Sequence, residues 1–82
     1  MYSYQPKGVC SKEINFEIVD NRITEIFFTG GCAGNLLGIS TLVKGMEVNV
    51  AIEKLKGIHC GDKNTSCPDQ LALALEEFVA NS

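Results

Sequence analysis

The sequence predicts an α+β fold, a small antiparallel sheet built on an N-terminal hairpin with about three helices packed on one face. Two adjacent segments with strand character come first, three segments with helical apolar spacing follow, and no repeat or long linker separates the two groups. Residues 1–82 therefore read as a single domain.

The first strand is predicted over 11–20, where Ile14, Phe16 and Ile18 alternate with Glu13, Asn15 and Glu17. Asp20 and Asn21 tolerate left-handed backbone and supply the turn. Residues 23–29, rich in β-branched and aromatic side chains, form the returning strand. Cys10 opens this hairpin and Cys32 closes it. In an antiparallel pair, positions equidistant from the turn lie opposite each other, so both cysteines belong at the same end.

Gly30 and Gly31 break the second strand, and Leu36, Leu37, Ile39, Ser40, Leu42 and Val43 form a helical stripe that stops at Gly45. A second helix is predicted over about 47–56 from Val48, Ile52 and Leu55, ending at Gly57. Residues 58–65 are polar and contain Gly61, which marks a surface loop carrying Cys60. The last helix starts after Ser66 as N-cap, with Pro68 in its first turn, Asp69 completing a capping box, and Leu71, Leu75 and Phe78 on one face. Cys67 stands at its start.

Hydrophobic residues make up 45% of the chain, enough to exclude disorder. The net charge of −3 and the scattered lysines leave no footprint for a phosphate backbone, so nucleic acid is excluded as a direct partner. No apolar run approaches the roughly 20 residues that span a bilayer, and the N-terminus lacks a signal segment. These features point to a cytoplasmic location, where thiols stay reduced and cysteines read as ligands or redox groups before they read as disulfides.

The candidate metal ligands are Cys10, Cys32, Cys60 and Cys67. Their spacings contain no CxxC knuckle, and buried cysteines acting as small hydrophobes are the competing reading. Position favours the metal: all four sit at element ends or in loops, where sites gather. Cys32 and Cys67 also stand at predicted helix N-termini, beside free N–H groups and partial positive charge that suit a ligand thiolate. His59, Asp62 and Asp69 are nearby donors, but solvation is the commoner fate of a loop histidine, and capping that of an aspartate in a helix's first turn. The turn carrying Gly30, Gly31, Gly34 and Asn35 offers backbone N–H groups to a nucleotide phosphate or a flavin, although a sharp turn alone also explains its glycines.

The string Thr65-Ser66-Cys67-Pro68-Asp69-Gln70-Leu71-Ala72 resembles the TSCPD domain family, known as a C-terminal segment of adenosylcobalamin-dependent ribonucleotide reductases. Gly30-Gly31-Cys32-Ala33-Gly34-Asn35, Leu42-Val43-Lys44-Gly45 and Cys60-Gly61 are also similar to that family's pattern. The resemblance covers nearly the whole chain and implies a free-standing form of the domain, with ribonucleotide reductase or another redox protein as partner and Cys60 and Cys67 as a possible dithiol relay. More distantly, Cys10, Cys32 and Cys67 resemble the three cysteines of iron-sulfur cluster assembly scaffolds. Lys12 and Ser66 stand where those scaffolds carry an aspartate and a histidine, and Cys60 has no counterpart there. A closed site holding zinc or a stable iron-sulfur cluster is thus favoured over cluster delivery. An 82-residue chain is too small to house a whole reductase, so catalysis by the chain alone is not expected.

Overall fold

Asp20 and Asn21 both adopt positive φ, 52° and 65°, and this turn reverses the chain between strand β2 (Ser11–Val19) and strand β3 (Arg22–Gly30). The computed structural model describes residues 2–31, 33–59, 61–62 and 64–81. Strand β1 (Tyr2–Tyr4) adds to the free side of β2, giving an antiparallel sheet in the order β1-β2-β3. Helices α1 (Ala33–Val43), α2 (Val48–Leu55) and α3 (Cys67–Ala80) complete the predicted α+β architecture. β1 is an addition to the sequence reading: three residues are too few for a periodic signal. What fixes the strand is Tyr2, whose ring lies 5.1 Å from Phe16 and 5.6 Å from Phe78, an aromatic cluster joining the sheet to α3.

One face of the sheet is buried. Ile14 and Phe16 of β2 and Ile23 and Ile26 of β3 pack with Leu71, Ala74 and Leu75 of α3, Val48 and Ala51 of α2 and Val43 of α1. The other face carries exposed Glu17 and Phe27. Two irregularities in the β2–β3 ladder decide which residues point inward. Glu17 pairs with Glu25 and Ile18 with Ile23, leaving Thr24 as an extra residue. Strict alternation would send Ile23 and Ile26 to opposite faces; the bulge puts both in the core. Lys12 is the second extra residue, between the pairs Ser11–Gly30 and Glu13–Thr29, and it turns Ser11 to the same side as Ile14.

The helices begin and end near the predicted places, but α1 is less buried than its apolar stripe implied. Leu36 and Val43 are buried, whereas Leu37 and Leu42 are 69% and 74% exposed. No helix among the described residues is long and apolar enough to cross a membrane.

A knot of buried polar groups anchors the start of α3. Ser66 caps the helix by accepting a hydrogen bond from the Asp69 amide at 3.1 Å, and its own hydroxyl donates to the Ile58 carbonyl. The Asp69 carboxylate does not reach back to the N-cap as a capping box requires. It accepts instead from the Thr65 hydroxyl at 2.6 Å and the Gly57 amide at 2.7 Å. Gln70 donates to the Thr65 hydroxyl at 3.0 Å and accepts from the Lys7 amide at 3.0 Å. The start of α3, the end of α2 and the N-terminal segment are thereby tied together.

The Thr65 hydroxyl and the Gly57 amide hold the Asp69 carboxyl below its ordinary pKa against the opposing effect of burial, with His59 and Lys56 adding attraction. A depressed pKa stabilises the fold above the pKa of an unfolded aspartate, and that contribution is lost as pH falls through the folded value. Asp69→Asn is expected to cost about 2 kcal/mol at neutral pH. Urea denaturation across the acid range is the check: the wild type should lose stability at and below the ordinary aspartate range, and the variant should lose less.

Candidate metal centre

The two ends of the chain bring two thiols to one place. Cys10 immediately precedes β2, and Cys67 is the first residue of α3. Both line a cleft of about 170 Å³ with Asn35, Leu36 and Ile39 of α1 and Ser66 and Pro68 at the start of α3. Cys10 is exposed, Cys67 is half-buried, and both are free thiols. The polar knot holds the chain on either side: Lys7 is bonded three residues before Cys10, and Ser66 is fixed directly before Cys67.

Ser11 is the polar group that the sequence reading missed. Its hydroxyl lies 3.3 Å from the Cys67 sulfur, and its side chain is buried. Alternation along β2 assigns Ser11 to the solvent face, and only the Lys12 bulge reverses that assignment. The signal available in the sequence was its adjacency to Cys10.

Of the four predicted ligands, Cys10 and Cys67 share the cleft, while Cys32 and Cys60 lie outside the described residues. Cys32 directly precedes Ala33, where α1 begins, and the first turns of α1 form one wall of the cleft. Among the described residues no group of three or more His, Cys, Asp and Glu side chains is placed to hold a metal. Both carboxylate oxygens of Asp69 accept hydrogen bonds, from Thr65 and from Gly57, and Asp69 does not line the cleft. His59 and Asp62 are exposed and do not line the cleft.

The glycine-rich turn is divided between two places. Gly30 and Gly31 line a wider groove of about 490 Å³ between β3 and α1, with Phe28 and Leu37 along it and Glu25 and Lys44 paired at 3.5 Å. Asn35 belongs to the cysteine cleft, and Gly34 is exposed, with open space where a Cβ would stand. Leu36 lines both cavities, so the two lie side by side along the start of α1. Gly31 has a steric reason for being glycine: its φ is 82°, and a Cβ there would stand 2.8 Å from Leu36 Cδ1 and 3.3 Å from the Ser11 amide. That close approach seats α1 against the beginning of β2.

The family model for the TSCPD domain matches residues 2–79. No curated protein and no solved structure matches the chain.

Alanine at the two glycines should have opposite effects on stability. Gly31→Ala is expected to lose about 2 kcal/mol or more through its left-handed backbone and the Leu36 contact. Gly34→Ala, inside α1 with open space around it, should gain up to about 1 kcal/mol. Urea midpoints of the two variants against the wild type make the comparison.

Proposed function

Because the chain belongs to the TSCPD domain family, whose members are associated with ribonucleotide reductases, we propose that it is a cysteine-based metal-binding module serving ribonucleotide reduction or a related redox system. The single observation behind this reading is the shared cleft of Cys10 and Cys67, residues at opposite ends of the chain that tertiary structure alone brings together. Cys32, adjacent in sequence to the first residue of α1, and Cys60, which lies in sequence between Ile58 and Thr65, are the further ligands in this reading. A donor set of sulfurs is soft and suits zinc or an iron-sulfur cluster over a hard cation such as magnesium. Bound metal would cross-link the N-terminal segment to α3. The chain's own contribution is to hold the thiols in register before the metal arrives, through the Gln70–Lys7 and Ser66–Ile58 bonds.

The same cleft supports a second reading as a thiol-redox relay to a reductase. The exposed Cys10 beside the half-buried Cys67 is then the pair to consider, ahead of Cys60 and Cys67. Elemental analysis and a visible spectrum of anaerobically purified, untagged protein separate the two readings. About one zinc per chain without colour, or iron with sulfide and colour, is the expected result. A chelator should then lower the melting temperature sharply, and Cys10→Ser and Cys67→Ser should each weaken metal retention. Metal-free protein that takes up neither zinc nor iron, with a melting temperature indifferent to chelator, overturns the metal reading in favour of the dithiol.

A further inference from the structure

We infer that Ser11 is a positioning residue for the Cys67 sulfur, donating its hydroxyl hydrogen to that thiolate when it serves as a ligand; the inference rests on the metal reading above. Three features of the fold converge on it. The Ser11 oxygen lies 3.3 Å from Cys67 Sγ, within bonding range for sulfur. Ser11 is 4% exposed, so solvent offers little substitute for the bond. The side chain is there only because the Lys12 bulge breaks the alternation of β2 and turns Ser11 inward, and bulges beside functional sites characteristically re-aim one side chain.

Chemistry fixes the direction of the bond. Between a hydroxyl and a thiol either group can donate, but a metal-bound thiolate has no hydrogen, so the hydroxyl is then the donor. A hydrogen bond to a ligand sulfur fixes the orientation of its lone pairs and lowers their energy, and outer partners of this kind are worth roughly tenfold or more in metal affinity. Ser11 pairs with Gly30 through its backbone, so removing the hydroxyl takes no ladder hydrogen bond away.

Anaerobic titration of the reduced full-length chain with Co²⁺ tests this. Ser11→Ala should bind about tenfold more weakly than the wild type, with its sulfur-to-cobalt charge-transfer band moved to longer wavelength. Ser11→Thr, which keeps the hydroxyl, should match the wild type in both respects. Ser11→Val is nearly isosteric with Ser11→Thr and should behave as Ser11→Ala does, so the Thr/Val pair decides the question if the alanine variant fails to fold. Equal affinity and an unmoved band in the variants lacking the hydroxyl overturn the role of Ser11 and leave the metal reading standing. A wild-type protein that develops no thiolate–cobalt band overturns the metal reading and this inference with it.

Discussion

Asp69 accepts hydrogen bonds from two directions, the Thr65 hydroxyl on its own loop and the Gly57 amide at the end of α2, and the arrangement around the cysteines depends on that carboxylate staying ionised. Its environment keeps it so, since both donors favour the charged form. Thr65, once its hydrogen is committed to Asp69, has its lone pairs free to accept from Gln70, and Gln70 in turn offers its carbonyl to the Lys7 amide. From the Lys7 amide through Gln70 and Thr65 to Asp69, donors and acceptors follow one another in a single sense. Networks satisfied in this way resist local opening, because breaking one member strands a neighbour in a buried place. The three segments so joined are those that lead to Cys10, to Cys60 and to Cys67.

The sheet solves a different problem, one of parity. Period-two alternation cannot place Ile23 and Ile26 on one face, nor Ser11 and Ile14, because each pair is an odd number of residues apart. One extra residue in each strand, Thr24 in β3 and Lys12 in β2, restores both pairs to the buried side. The Thr24 hydroxyl donates to the Glu17 carbonyl at the first of these bulges, which satisfies a backbone group where the ladder is interrupted. The second bulge lies two residues from Cys10 and the cysteine cleft. There the sheet gives up regular pairing and gains a hydroxyl aimed at Cys67.

Most of the scaffold was legible because it rests on local rules. The Ile14–Phe16–Ile18 alternation, the Asp20-Asn21 turn and the Ser66 cap each act within a few residues, and the structure has all three. The convergence of Cys10 and Cys67 was legible too, from their positions at element ends. What escaped was non-local or parity-breaking. β1 is held by Phe16 and Phe78, which are distant in sequence, and Ser11 faces inward through a bulge that no apolar pattern announces. Asp69 was assigned to a cap because its spacing from Ser66 fits one; its carboxylate goes to Gly57, twelve residues back, a competition that spacing does not decide.

The segment Thr65-Ser66-Cys67-Pro68-Asp69-Gln70 divides its labour along the same physical lines. The oxygens of Thr65, Ser66 and Asp69 and the amide of Gln70 are spent on one another or on backbone groups, and Pro68 occupies the first turn of α3, where a missing amide hydrogen costs nothing. Cys67 lines the cleft with its neighbours Ser66 and Pro68, and its sulfur has the Ser11 hydroxyl at 3.3 Å. A segment that commits its surrounding polar groups to holding one sulfur in place restricts that thiol's orientation. Such preorganisation matters most in a small domain, whose limited core cannot by itself offset the entropy of ordering groups that lie far apart in the sequence. The knot at the start of α3 therefore fixes the surroundings of Cys67 as much as it fixes the fold, because the bonds of Ser66 and Asp69 set where the helix begins.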